Sequence, residues 1–459
     1  MSAFIFVAFY LRNVVDILIT NDYNLSITKC RGLLRHFVAH TSKFFYIGVC
    51  ENYIGGFFMK LKKILAVVLA LMMVLSFAAC TKNPANEGES KADANNNSTG
   101  TEIVIGVSGP LTGGAAQYGN AVVNAAQLAV DEINAAGGVN GTKLKLVSAD
   151  DEADSGEKAV SAYNSLKDQG MQIFLGTVTS GSCLAVIDKT AEDNMFQLTP
   201  SASADDVIKN DNCFQICFTD SNQGARSAQY IAENKLATKV GIIYDSSDAY
   251  STGIYNNFKA GAADKNLEIV AEQAFTKDTN KDFSAQIQAC KTAGADLVFL
   301  PIYYTEASLI LKAADAVDYA PKFFGCDGLD GILAVENFDA KLAEGVMLLT
   351  PFAADAEDDA TQKFVAAYKA KYNNETPNQF AADAYDGIYI IAELIKANNI
   401  KADMSASAIC DVLKKAICAE GFSFKGLTGA GSALTWDASG AVSKDPMAVI
   451  IKDGAYAAL

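Results

Sequence analysis

Ser180 and Asp327 are the residues whose type and position suit them to meeting opposite charges. Ser180 follows the apolar run Phe174–Val178 and precedes a predicted helix at Gly181. Its hydroxyl and the first backbone N–H groups of that helix suit an anion, although an ordinary helix cap would use a serine in the same place. Asp327 sits in FFGCDGLD, after a short strand and before Gly328. A carboxylate at a strand end can pair with a cation or shape a turn. Asp330 is its rival and suits the start of the next helix; Glu306 reads either as an acid near the same place or as a first-turn helix charge. The chain has two histidines, His36 and His40. Both precede Met59, so a protein beginning there has none, which excludes Ser-His-Asp and Cys-His catalysis and the usual zinc sites. Carboxylate and lysine chemistry stay open, but there is no paired-acid motif, metal cluster or nucleophile elbow.

These residues need strands and helices to place them. The stretch Ile103–Gly119, IVIGVSGPLTGGAAQYG, sets the pattern. Ile103, Ile105 and Val107 alternate as in a buried strand, a Gly/Pro-rich turn follows, and Gln117–Ala136 carries apolar residues at helical spacing. Tyr118 lies where the loop becomes the helix. With no G-x-G-x-x-G and no G-K-[ST], the loop is not a phosphate cradle. It is a ligand-site candidate because open α/β sheets bind at strand carboxyl ends, and a plain glycine-rich turn otherwise. Beyond it, predicted strands at Lys143–Ser148, Gln172–Leu175, Lys239–Tyr244, Leu267–Ala274, Asp296–Leu300, Lys322–Phe324 and Val346–Leu349 alternate with helices. Leu434–Asp437 and Met447–Lys452 read as closing strands. The order predicts doubly wound parallel sheets with helices on both faces. A body starting at Glu102 is too long for one core, so two lobes with a ligand between them are expected.

The chain's net charge is −16, and the part after residue 79, with 29 Lys/Arg against 50 Asp/Glu, is net −21, which argues against nucleic acid or a broad anionic-lipid face as partner. From Met59 the chain reads MKLKKILAVVLALMMVLSFAAC: a basic start, an uncharged apolar stretch Ile64–Ala79 shorter than the about 20 residues a spanning helix needs, and small residues before Cys80. This is a secretory signal over 59–79 whose end resembles a bacterial lipobox, which implies lipidation of Cys80 and a membrane anchor. Residues 1–58 are then an upstream extension, with translation starting at Met59. Residues 80–101, rich in Asn, Ser, Gly and charge, cannot bury a core and read as a flexible tether.

The segments IGVSGPLTGGAAQYG, AVDEINAAGGVNG, LTPSAS, DSSDAYSTG, KDFSAQI and LTWDASG, in this order from about Glu102 to about Lys452, resemble the leucine/isoleucine/valine-binding substrate-binding proteins of branched-chain amino-acid ABC transporters. The resemblance implies a type I periplasmic-binding-protein fold of two lobes joined by three crossings, with lobe 1 over 102–221 plus 351–431 and lobe 2 over 222–350 plus 432–459. It implies one amino acid held in a gap between the lobes, closure around it, and delivery to ABC permease subunits by a monomer that needs no cofactor and no metal. It places Ser180 at the ligand carboxylate, a backbone carbonyl of Ser201 and the N–H and hydroxyl of Ser203 at its charged groups, and Asp327 at its ammonium. Tyr250 and Tyr303 would cap the ligand from lobe 2, while Tyr118 and Phe380 would shape the side-chain pocket in lobe 1. Relatives often carry Ala then Thr where Ser201 and Ser203 stand, and Glu where Asp327 stands. Read without the family, Ser201 and Ser203 form a solvated turn and the aromatics pack a core.

Cysteines 183, 213, 217, 290, 326, 410 and 418 follow Cys80 and read as buried thiols. Cys213 and Cys217, taken as one strand, are roughly 13 Å apart at full extension, too far to bridge. Two other functions stay open at this stage: a sensor of the same fold without a transport role, and a carboxylate-based hydrolase using Asp327 and Glu306.

Overall fold

The computed structural model describes residues 101–153 and 156–459; the extension, signal and most of the tether expected before residue 101, including Cys80, lie outside the described residues. The first sheet is built from β1 (Glu102–Gly109), β2 (Lys143–Asp150), β3 (Ile173–Gly176), β4 (Gln197–Thr199) and β5 (Cys213–Gln215). The helices between them are α1 (Ala116–Ala135), α2 (Gly156–Asp168) and α3 (Ser180–Glu192). The strands lie in the order β2-β1-β3-β4-β5, every pairing parallel. The chain then crosses into α4 (Asp220–Glu233), β6 (Lys239–Asp245), α5 (Ala249–Ala263), β7 (Glu268–Phe275), α6 (Ser284–Ala293), β8 (Leu297–Leu300), α7 (Tyr304–Asp315), β9 (Lys322–Gly325) and β10 (Met347–Thr350). It returns through α8 (Asp359–Lys371), α9 (Gln379–Ala397) and α10 (Ala406–Ala416), and ends on β11 (Met447–Lys452) and β12 (Ala455–Ala458). The second sheet runs β12-β11-β10-β9-β8-β6-β7, parallel except at β10–β11–β12.

Both sheets change direction of winding beside their first strand. β1 is flanked by β2 and β3, and β6 by β7 and β8. At such a switch the loops after neighbouring strands diverge and leave a crevice. The loops after β1 and β3 therefore open one crevice and those after β6 and β8 another. α9 packs on α1, completing the first lobe, while α4 packs on α5 in the second. Ile103, Ile105 and Val107 of β1 are wholly buried, and the apolar core continues from lobe to lobe through Tyr118, Phe380, Tyr304 and Leu329. Among the described residues no helix is long and apolar enough to cross a membrane.

The structure corrects several readings. Leu434–Asp437 forms no strand, only single bridges from Leu434 to Phe424 and from Trp436 to Val442. This segment lies on the first sheet: Trp436 Nε1 donates to the Gln215 carbonyl at 2.7 Å and Gln215 N–H donates to Gly440 at 3.1 Å. The last crossing therefore follows this contact instead of falling at residue 432. β5 ends at Gln215, so Cys217 lies beyond the strand that holds Cys213. The seven described cysteines are all free thiols, six of them buried. β4 and β5 are three-residue strands too short for a periodic signal, whereas β12 follows an Asp453-Gly454 turn with both residues at positive φ, a hairpin signature present in the sequence.

Gly119 shows how tightly the first loop is held. A Cβ there would lie 2.1 Å from the Pro110 carbonyl oxygen. Gly119→Ala should destabilise the protein by about 1–3 kcal/mol, the usual cost of overpacking. Thermal melts should show a lower midpoint; an unchanged midpoint would mean that the loop yields freely.

Candidate functional site

Tyr118, in the first turn of α1, projects from the first crevice into the second lobe. Its hydroxyl donates to the Gly328 carbonyl and accepts from the Tyr304 N–H at 3.4 Å. Its ring stacks on Phe380, at the start of α9, with centroids 4.1 Å apart, and meets Tyr303 and Tyr304 edge-on. Two further bonds cross here, from Gln117 N–H to the Tyr304 hydroxyl and from the Thr305 hydroxyl to the Gly114 carbonyl. The lobes are closed on one another.

Ser180 opens α3, but Thr179 occupies the cap position, and it makes no side-chain capping bond. The Ser180 oxygen instead accepts from the N–H groups of Ser203 and Ala204, each at 3.1 Å. With both lone pairs so engaged, its O–H can only donate outward. The Ser201 hydroxyl is held by the Val178 carbonyl at 2.7 Å. Ser203 stands behind the site: its N–H goes to Ser180 and its hydroxyl donates to Asp220 at 2.7 Å.

On the other lobe, Asp327 begins a 3-10 turn after β9 and is 3% exposed. Tyr250, in the first turn of α5, donates its hydroxyl to Asp327 Oδ1 at 2.6 Å and accepts from the Gly328 N–H at 2.9 Å. Gln223 of α4 accepts from the Asp327 N–H, and Gln379 donates to its carbonyl. Burial pushes the Asp327 carboxyl up to about 7, against the hydrogen bonds from Tyr250 and Gln223. The Tyr303 ring stacks on Tyr250 at 5.0 Å. Asp330 serves another purpose, accepting from the N–H of Gln379 at 2.8 Å and so holding the start of α9. Glu306 accepts from Asn280.

Tyr118, Ser180, Ser201, Tyr250, Tyr303, Asp327 and Phe380 surround one small cavity, together with Val178, Thr179 and Gly328, while Ser203 does not reach it. The sequence reading expects a gap able to hold a zwitterion. The closed structure departs from this, because the aromatic rings fill the centre and leave free room on the order of one water molecule. Seating a guest requires the lobes, or the Tyr118–Phe380 stack, to part. Outside it lies a wider cavity of about 420 Å³ that meets the inner one at Thr179 and Tyr303. Glu306 lines the outer cavity and Asp327 the inner, so the two acids are not a facing pair. Among the described residues no cluster of His, Cys, Asp and Glu could hold a metal ion.

The sequence reading missed Val178 and Thr179, which flank Ser180 at the same strand end and were within its reach. It also missed Asp220, Gln223 and Gln379, which come from the inter-lobe crossing and a distant helix and carry no local signal.

Residues 102–435 match the family model described as periplasmic binding protein. A Leu/Ile/Val-binding protein, BraC3, of Rhizobium johnstonii is 33% identical over 318 residues, covering 68% of this chain and 83% of its own. A Leu/Ile/Val-binding protein homolog of Brucella melitensis is 31% identical over 310 residues, 67% of this chain and 82% of its own. Among solved structures, the branched-chain amino acid transporter substrate-binding protein LivJ from Streptococcus pneumoniae, in complex with isoleucine, superposes with a TM-score of 0.70 at 30% identity, covering 78% of this chain and 98% of its own.

The raised Asp327 carboxyl makes stability depend on pH. Between its ordinary value of 3.8 and about 7 the folded protein holds a proton that the unfolded chain releases, so stability falls as pH rises through this window. Without ligand, the wild type should lose more of its melting temperature between pH 4 and pH 8 than Asp327→Asn does. Parallel curves for the two would show that Asp327 titrates normally.

Proposed function

This chain belongs to the periplasmic binding protein family, and on that footing we propose that it is an extracytoplasmic, lipid-anchored receptor that binds a branched-chain or other small neutral amino acid between its lobes and delivers it to an ABC permease. The observation that carries this reading is the opposed polarity of the inner cavity. On one side the Ser180 O–H is left free to donate, at the N-terminus of α3. On the other, the Asp327 carboxyl is buried with no cation bonded to it among the described residues. A zwitterion satisfies both, its carboxylate at Ser180 and its ammonium at Asp327. Such pairing is what makes burial of two charges tolerable.

Tyr118, Val178 and Phe380 supply the apolar wall for the side chain. Burying a Leu or Val side chain is worth about 1.5–3 kcal/mol, enough to select against polar amino acids, whereas one methylene separates Leu from Val. Ligand that touches both lobes favours the closed form over the open one, and the closed form is what a permease would recognise. The basic, apolar and small-residue sequence ending at Cys80 supports the lipid anchor, with the Asn/Ser-rich stretch after it as tether.

Calorimetry against Leu, Ile, Val, Thr, Ala, Asp and Lys tests the proposal. We expect a Kd at or below the micromolar level, about −8 kcal/mol, for at least one of the neutral amino acids, and Asp327→Ala should weaken it at least tenfold with the fold intact. Failure of all of them to bind would overturn the specificity, and near-normal affinity of Asp327→Ala would remove Asp327 from its role. In cells, Cys80→Ala should move the protein from the membrane to the soluble fraction; continued tight membrane association would mean another anchor.

A further inference from the structure

Lys444 is the one basic residue buried among the described residues, and nothing above gives it a role. It lies on the last crossing between the lobes, after the segment that meets β5 and shortly before Met447 opens β11. Its ammonium donates to Asp383 Oδ1 of α9 at 2.8 Å and to the Thr428 hydroxyl oxygen at 2.6 Å. The Lys444 side chain has no exposure to water, and that of Asp383 is 2% exposed. Thr428 in turn donates its proton to Asp386, one turn further along α9, at 2.8 Å. Lys444 is therefore bonded to the first lobe. The next residue is bonded to the second: Asp445 accepts from Arg226 of α4 at 2.8 Å, through side chains that are largely exposed.

These two ion pairs are unequal. An exposed pair contributes little and gives way easily, whereas parting a buried one strands a charge in the interior. The first lobe thus holds the crossing firmly up to Lys444. The second lobe takes it up at Met447, which pairs with Thr350 of β10. Between them Pro446 fixes its own φ and restricts the residue before it. What is left to turn is the junction of Lys444 and Asp445. We infer that the Lys444–Asp383 pair is the pin of the third crossing: it confines the bend to that junction and so sets how much of the ligand-free protein is closed and ready to bind. Stability alone does not call for the pair, because apolar residues of similar volume in place of a buried ion pair often leave stability unchanged or raise it. The inference rests on the reading of the lobes as parting and closing around a ligand.

The test uses the full chain with Lys444→Met, Asp383→Leu and the double variant, followed by thermal melts, small-angle X-ray scattering and calorimetry with L-leucine. Lys444→Met should lower the melting temperature, since it leaves Asp383 unpaired, and the double variant should recover at least half of that loss. The recovered protein should still be looser at the hinge. Without ligand its radius of gyration should exceed that of the wild type, and its affinity for leucine should fall at least fivefold, because only the closed-competent fraction binds. A merely structural pair would return size and affinity together with stability. A double variant whose ligand-free size equals that of the wild type, or whose loss of affinity is under fivefold, overturns the inference. Should the double variant fail to recover, Asp445→Gly decides by ligand-free size alone, because it frees the junction while leaving the buried pair in place: a larger radius supports the pin, and an unchanged one overturns it. A wild type that binds none of the amino acids named above overturns the reading of the cleft, and the ligand-free sizes then judge the pin independently of it.

Discussion

A carboxyl group with almost no access to water and no cation bonded to it among the described residues is the constraint around which the cleft is arranged. Asp327 is met by the Tyr250 hydroxyl, while Gln223 and Gln379 hold its backbone. These contacts fix where the carboxyl points without neutralising it. In a low-dielectric interior such a group stays protonated or waits for a positive partner. Gly328 follows from the same geometry, since a Cβ there would lie 2.7 Å from both the Tyr250 hydroxyl and the Ile302 carbonyl. Any side chain at that position would push Tyr250 off Asp327.

Closure is the second feature tied to this carboxyl. Tyr118 belongs to the first lobe but spends its hydroxyl on the second, and its ring lies among Phe380, Tyr303 and Tyr304. Aromatic pairs of this kind contribute about 0.5–1.5 kcal/mol each beyond their buried area. The rings that would wall a guest therefore also hold the lobes together without one. On the proposed reading, a ligand would shift the balance between open and closed forms only by what it gains beyond those ring contacts, which would put the discriminating free energy at the two polar ends of the cavity.

Much of the scaffold was legible because its signals are local. Strand alternation at Ile103, Ile105 and Val107, helical spacing after Gln117, and the β–α order predict an open α/β body in two lobes, and the strands from Lys143 to Leu349 match their predicted spans to within a residue or two. The failures are equally physical. β4 and β5 are too short to show a period, and Leu434–Asp437 has a strand's composition but meets β5 through one indole and one amide instead of a ladder.

The sequence by itself determined the fold class and the residue types that end up at the strand tips, because both depend on patterns within a few residues of each other. Seven of the eight candidate residues share one cavity. Only the tertiary structure decided what each group has left to offer. Ser180 becomes a donor because residues 203 and 204 supply its lone pairs with N–H groups, and Ser203 is held back by Asp220. Hydrogen-bond capacity is spent among groups brought together by folding, and no spacing along the chain reports how it has been shared out.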